Sequence, residues 1–342
     1  VNQYFVLLSG ENIDLAISET QSLIELLDYS VHVTCTGRFL RLTSSGNPTK
    51  FLLDRAVLIK KAGSIISFFK TIDGIRDIDS SILQKHIQPN QTFSVQSISL
   101  LPERRKEYRA NLIREFGEII KAGTGCSVNL TNPDVQFIIF LLDDELILCK
   151  SNESNLLSNL KSRSPGKTPF FHPSMMNAKL ARVMCNLAGI MPNELVLDPF
   201  CGGAGILTEA SVLGAYCTGI DINWPLLRGA YENLSNLPIE KFTLLQSDSR
   251  TFPFMDGVFD AIITDPPYGR ASSTRGFDIE SLIHETLAFA KNGLRDGGRI
   301  CISGSTDLGI SEIVRNIGFE ILSQNQVYVH NTLTREIVSA SN

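Results

Sequence analysis

Four apolar runs in the second half of the chain each end on an aspartate: Asp198 in ELVLDPF, Asp221 in YCTGIDI, Asp248 in FTLLQSD and Asp265 in FDAIITDPP. Between them lie GILTEASVLG and PLLRGAYENLSNL, which have the apolar spacing of helices. Such alternation builds parallel βαβ units, because a parallel neighbour needs a crossover long enough to hold a helix. A helix near residues 279–292, the strand GRICISGS, another helix and a final strand pair complete an α/β, doubly wound sheet. Sheets of this kind bind ligands at the carboxyl ends of their strands. One carboxylate there is an ordinary cap or turn residue; four in succession mark a ligand crevice.

LVLDPFCGGAGIL sets Gly202, Gly203 and Gly205 in the turn from the first strand into its helix. Without side chains, that backbone can approach a ligand closely; a plain tight turn is the alternative. The pattern is neither GxGxxG nor a Walker loop. A carboxylate after the second strand suits ribose hydroxyls, and a polar group after the third suits an adenine amino group.

TDPPYGR, residues 264–270, ends the fourth run. Neither proline can donate to a ladder, so the strand stops there. Asp265 and the carbonyl of Pro266 can accept hydrogen bonds from both N–H groups of a planar exocyclic amine, and Pro267 holds that carbonyl rigid. Tyr268 offers a face for a flipped base, a contact worth ~1–3 kcal/mol. GRASSTRGF, residues 269–277, follows with Arg270 and Arg275, candidates for phosphate contact or exposed loop residues.

The first 150 residues mix strands and helices without repeats. NIDLAISETQSLIELL reads as a helix with Asn12 as N-cap. KEYRANLIREFGEIIKAG reads as another, and VQFIIFLLDDELILCK as two strands around Asp143–Asp144. Residues 150–174 are rich in Ser, Asn and Pro and read as the main boundary. The net charge of −5 argues against nucleic acid as a whole, but its distribution does not. Residues 151–182 hold five bases against one acid, a strip that can track a phosphate backbone or be a solvated linker. Seven scattered cysteines without a CxxC pair imply no metal site and reduced thiols in a cytoplasm. No run of eighteen apolar residues occurs, and the N-terminus lacks the basic region and cleavage site of a signal peptide, so no membrane attachment is expected.

The set DPFCGGAGIL, GIDIN, SDSR and DPPYG resembles the class I S-adenosylmethionine-dependent methyltransferases, more narrowly those that methylate exocyclic amines through a (D/N)PP(Y/F) motif. FHPSMMNAKLARVMCNLA, residues 171–188, matches the helix such enzymes place before the first strand. The resemblance implies that His172, Pro173, Asp198, Cys201, Gly202, Gly203, Gly205, Asp221, Ile222, Asp248, Ser249 and Asp265 hold S-adenosylmethionine. Asp198 and the glycines would take the methionine moiety, Asp221 the ribose and Asp248 the adenine. Asp265, Pro266, Pro267 and Tyr268 would act on the substrate amine. Residues 92–150, above all VNLTNPDVQFIIFL, resemble a THUMP domain, an RNA-binding module of tRNA-modifying enzymes, and NTLTRE at 331–336 resembles the end of the same group. Arg104, Arg105, Lys106 and Arg109, with Lys161, Arg163 and Lys167 of the basic strip and Arg270 and Arg275, would meet RNA.

Together the halves resemble the archaeal tRNA guanosine-10 N2-methyltransferases. That implies a Rossmann-like class I methyltransferase domain over 170–342, an N-terminal ferredoxin-like subdomain over 1–50, a THUMP domain over 51–150 and a linker over 151–169. The implied partner is tRNA, and the implied state is a cytoplasmic monomer. A ribosomal RNA guanine methyltransferase would share both halves. A DNA amino-methyltransferase has no use for the first half, and a non-catalytic RNA-binding protein has none for the glycine turn and Asp265.

Overall fold

The computed structural model describes residues 2–100, 106–154, 156–164, 166–238, 241–253, 255–267, 278–330 and 333–342. The chain divides into two compact units, and the division does not follow sequence order. One unit takes Val1–Ile13, Leu27–Asp54 and Ile59–Ser154; the other takes Asp14–Leu26, Arg55–Leu58 and Asn155–Asn342.

The elements run β1 (Asn2–Leu8), α1 (Ile13–Ile24), β2 (Val31–Thr36), β3 (Phe39–Ser44), α2 (Thr49–Arg55), β4 (Ile59–Phe69), α3 (Ile72–Arg76), α4 (Ser80–Gln84), β5 (Thr92–Ser99), α5 (Lys106–Thr124), β6 (Ser127–Val128), β7 (Val135–Leu141) and β8 (Leu146–Asn152). Their strands form one sheet in the order β2-β3-β1-β4-β8-β7-β5-β6. α3, α4 and α5 cover one face through Ile75, Leu83, Leu112, Phe116 and Ile120, against Phe93, Phe137 and Leu148 of the sheet. On the other face the rings of Phe39 in β3 and Phe140 in β7 lie 4.8 Å apart, and Phe5 of β1 sits 5.0 Å from Phe140. Three strands separate β3 from β7. In a flat sheet they would stand roughly 19 Å apart, at about 4.8 Å per strand. The sheet is therefore strongly curled, and residues on both sides of the expected boundary at residue 50 share one core.

The second unit continues with α6 (Leu156–Ser162), α7 (Ala178–Leu187), β9 (Leu195–Asp198), α8 (Gly205–Val212), β10 (Tyr216–Asp221), α9 (Trp224–Ser235), β11 (Phe242–Gln246), β12 (Phe259–Thr264), α10 (Ile279–Asn292), β13 (Leu294–Ser305), α11 (Ile310–Asn316), β14 (Glu320–His330) and β15 (Leu333–Ser341). The expected linker thus contains a helix, α6. The sheet order is β11-β10-β9-β12-β13-β15-β14. β11, β10, β9, β12 and β13 are parallel, and β15 runs antiparallel to both β13 and β14. Continuous apolar runs suit strands covered on both faces: Leu197, Ile220, Ile262, Ile300 and Val338 are fully buried. Strand order reverses between β9 and β12, which opens a crevice beyond their carboxyl ends.

Helix α1 and residues 55–58 belong to this second unit through a buried polar network. The Glu19 carboxylate accepts from the N–H groups of Val57 (3.0 Å) and Leu58 (2.9 Å) and from Asn186 Nδ2 (2.7 Å). Arg55 donates from Nη2 to the Ile190 carbonyl (2.9 Å) and from Nε to Asn186 Oδ1 (3.3 Å). Burial pushes the Glu19 carboxyl above its ordinary range, against the pull of these donors.

Candidate active site

β9 ends on Asp198, which is 2% exposed. Thr264, the last residue of the neighbouring β12, donates its hydroxyl to Asp198 Oδ1 at 2.7 Å, and the Phe200 N–H donates to the same oxygen at 3.1 Å. Burial pushes the Asp198 carboxyl up to about 7; these two donors oppose the rise, and the charges of Asp265 and Asp221 add to it. The turn then bends back. Cys201 N–H donates to the Ile220 carbonyl of β10 at 2.9 Å, and the N–H of Gly202 donates to Asp221 Oδ2 at 2.9 Å. The other oxygen of Asp221 accepts from Asn223 N–H at 2.8 Å, and burial raises this carboxyl too.

The three glycines of the turn differ in what they face. Gly202 has φ +50 and open space where a Cβ would stand. An ideal Cβ on Gly203 would lie 2.7 Å from Met175 Sδ, and one on Gly205 would lie 2.9 Å from the Met176 carbonyl. Gly205 is therefore needed for the backbone before α7 to pack on the turn, Gly203 makes room for the Met175 side chain, and Gly202 alone leaves a side open. Asn233 of α9 fastens the same segment: it accepts from the Phe170 N–H at 2.9 Å and donates to the Gly203 carbonyl at 3.0 Å. Within that segment His172 Nδ1 lies 2.7 Å from the Ser174 hydroxyl, and Pro173 is exposed. Cys201 is buried beneath the turn, which pushes its thiol well up. Ile222 and Trp224, just past Asp221, are exposed.

After β11, Asp248 is gripped by Arg250. The guanidinium donates to Oδ1 at 3.0 Å and to Oδ2 at 2.6 Å, and the Arg250 N–H adds a third bond at 3.1 Å. These hydrogen bonds hold the carboxyl below its ordinary range. Ser249 is buried, 3.3 Å from the Thr286 hydroxyl of α10.

Asp265 follows Thr264, and both of its oxygens are engaged. Ser303 of β13 donates to Oδ1, and Arg335 of β15 reaches Oδ2 at 3.1 Å. The side chains of the Asp265–Arg335 pair are 13% and 15% exposed. Pro266 is buried and Pro267 half-buried. Tyr268, Arg270 and Arg275 lie outside the described residues, as do Arg104, Arg105 and the side chain of Lys106. Sequence reasoning missed Thr264, Ser303, Arg335 and Arg250. Only strand register brings the first three to Asp198 and Asp265; Arg250, two residues from Asp248, was within reach of a local reading.

Of the residues expected on RNA, Lys161 and Lys167 are exposed. Arg109 donates to the Ser97 carbonyl at 2.6 Å. Arg163 is taken up differently. Its guanidinium forms two bonds to the fully buried Glu209, at 2.7 and 3.1 Å, and Arg182 binds the same carboxylate at 2.9 Å. Buried acids demand such partners, so Arg163 ties α6 to α8. Among the described residues no group of three or more His, Cys, Asp or Glu is arranged to hold a metal ion. No helix among them is long and apolar enough to cross a membrane.

The charges of Asp265 and Asp221 act on the buried Asp198, and a ligand that carries positive charge beside Asp198 relieves that repulsion. Gly202 leaves the opening for it. The residues present thus fit S-adenosylmethionine, whose amino group and sulfonium are both cationic.

This sheet order, with a glycine turn after its first strand and an acid after each of the next three, defines a class I methyltransferase. Residues 165–335 match the UPF0020 model, described as RMKL-like, methyltransferase domain. The crystal structure of TrmN from Thermus thermophilus superposes with a TM-score of 0.58 at 18% identity, covering 99% of each chain, which supports the fold. A tRNA (guanine(10)-N2)-dimethyltransferase of Methanothermobacter thermautotrophicus is 33% identical over 98% of both chains. One of Methanocaldococcus jannaschii is 27% identical over 96% of this chain and 97% of its own. The chain belongs to the tRNA (guanine(10)-N2)-dimethyltransferase family.

Proposed function

We propose that this chain transfers methyl groups from S-adenosylmethionine to the exocyclic N2 of guanosine 10 in tRNA, forming N2-methyl- and then N2,N2-dimethylguanosine. The observation that carries the reading is the adjacency of Asp198 and Asp265, joined through Thr264 at the switch point of the sheet. It supports a reading in which Asp265 is the acceptor for a substrate amine beside the crevice of the cofactor. The names of the full-length relatives support the base, the atom and the RNA.

Asp198 and the open side of Gly202 would hold the methionine end of the cofactor, Asp221 the ribose, and Asp248 with Ser249 the adenine. When bound, the cofactor supplies an electrophilic methyl group on sulfur. The lone pair of guanine N2 is delocalised into the ring, which makes the amine a poor nucleophile. Asp265 and the Pro266 carbonyl would accept its two N–H groups and turn the lone pair outward, with little reorganisation left for the transition state. The Asp265 carboxylate would take the proton that the nitrogen loses as its new bond to carbon forms. Tyr268 would stack on the extruded base.

Residues 51–150 would serve as the THUMP RNA-binding domain, and 1–50 as the ferredoxin-like part before it. The packing of α5 on β5, β7 and β8 supports an α+β module there. Lys161 and Lys167 are exposed cations available to RNA phosphates. All seven cysteines are free and six are buried, which supports work in the reducing cytoplasm.

The test is methylation of an unmodified tRNA transcript followed by nucleoside mapping. N2-methyl- and N2,N2-dimethylguanosine at position 10 are expected, with loss of both in Asp265→Ala. Methyl groups found on adenine, on DNA or on ribosomal RNA alone would sink the reading.

A further inference from the structure

The register of three strands converges on Asp265. Thr264 of β12 pairs with Ile302 of β13, so Asp265 comes level with Ser303. Ser305 of β13 pairs with Arg335 of β15, and residues two apart on a strand share a face. Ser303 and Arg335 therefore reach the carboxylate from two different strands, one to each oxygen. Ser303 is fully buried. A largely buried ion pair adds little stability over an apolar pair of the same volume. What this pair adds is direction: a donor from a different strand on each oxygen fixes the plane of the carboxylate.

We propose that Arg335 and Ser303 are positioning residues for the substrate amine. They hold the Asp265 carboxylate in one orientation, so that it meets the amine N–H as a ready-made acceptor. Neither touches the reacting atoms; both act through Asp265. The inference rests on the reading of Asp265 as the clamp for guanine N2. It assigns a use to the TRE end of NTLTRE that the sequence pattern left without one. A cation next to a carboxylate also favours its charged form. Loss of Arg335 therefore makes Asp265 easier to protonate, and a protonated Asp265 has lost acceptor strength.

The experiment is single-turnover methylation of tRNA between pH 5.5 and 8.5 by the intact chain and its Arg335→Gln, Arg335→Lys, Ser303→Ala and Asp265→Ala variants. S-adenosylmethionine affinity is measured by calorimetry alongside. A misplaced catalytic group costs about 100-fold, so Arg335→Gln should lose roughly that in rate, with the acid limb of the profile moved to higher pH. The KM for tRNA and the cofactor affinity should stay within a few-fold. Arg335→Lys should recover part of the rate and most of the pH profile, because the charge returns without the fork. Ser303→Ala changes little volume and carries the test if Arg335→Gln fails to fold; it should show a smaller loss of rate at unchanged KM. A raised KM with an intact rate would overturn the proposal and make Arg335 an RNA contact. So would an Arg335→Gln variant, or a folded Ser303→Ala variant, at wild-type rate and pH profile. If Asp265→Ala itself transfers at the wild-type rate, the clamp reading falls first.

Discussion

Asn186 Nδ2 lies 2.7 Å from Glu19 Oε1, a hydrogen bond between residues 167 positions apart in sequence. Glu19 stands on α1, in the half that the sequence assigns to RNA, yet its partners are all in the methyltransferase unit. A cut near residue 150 would therefore remove Glu19, Arg55 and the Val57–Leu58 backbone from that unit. The fragment 155–342 is expected to lack cooperative unfolding and cofactor binding. In the intact chain Glu19→Ala leaves three buried donors without their acceptor and should cost about 3–5 kcal/mol in denaturant titrations. A fragment that folds and binds S-adenosylmethionine like the whole chain would contradict this.

The glycine turn makes a contrasting pair of substitutions. Gly203→Ala drives a methyl into Met175 and should cost about 1–3 kcal/mol by overpacking. Met175→Ala in the same chain should restore part of that loss. Gly202→Ala meets no neighbour but strains a left-handed residue, about 1–2 kcal/mol. Its methyl also fills the open side of the turn, so cofactor affinity should fall by about tenfold or more. Thermal denaturation and calorimetry read the two effects separately. Equal cofactor affinity in Gly202→Ala and the wild type would move the ligand elsewhere.

What the sequence reveals is what local pattern encodes. Asp198, Asp221, Asp248 and Asp265 sit at or just past strand ends because apolar runs of strand length stop there, and period and punctuation are properties of a few neighbouring residues. The partners of those acids are set by register instead. Thr264 reaches Asp198, and Arg335 reaches Asp265 from 70 residues away, only once β9, β12, β13 and β15 have paired. The same limit hid the place of α1, since an amphipathic helix declares an apolar face and not the surface it will cover. In the sequence Arg163 belongs to a basic strip, because charge counts do not register the buried Glu209 that claims it.

That pairing separates the residues of the strip. Arg163→Ala leaves Glu209, fully buried, with Arg182 as its remaining cation. It should lower stability by about 2–4 kcal/mol, since removing one partner of a buried charge leaves it under-compensated. Its tRNA affinity, measured where the protein is folded, should match the wild type. Lys161→Ala and Lys167→Ala should do the reverse. Their stability should stay within about 0.5 kcal/mol, while each lowers the slope of log affinity against log salt by about 1. Filter binding across a salt series decides, and a salt slope altered by Arg163→Ala alone would return that residue to the RNA surface.

The last expectation concerns protons at Asp198. Its carboxyl titrates at about 7 in the folded chain, against roughly 4 when unfolded. A raised value means that the folded state holds this proton more tightly. The stability it contributes is complete below pH ~4 and is lost as pH rises through 7. The ligand-free protein should therefore melt at progressively lower temperature between pH 5 and 8, and Asp198→Asn should flatten that decline. Cofactor binding has the opposite linkage. A cationic amino group favours the ionised carboxylate, so binding near pH 6 should release up to one proton, and near pH 8.5 almost none. Calorimetric titrations in buffers of different ionisation enthalpy count that proton directly. Thr264→Val removes a hydroxyl that holds the carboxyl down, so its proton release should persist to higher pH. Proton uptake on binding, or release that Asp198→Asn does not abolish, would show that Asp198 does not face the cationic end of the cofactor.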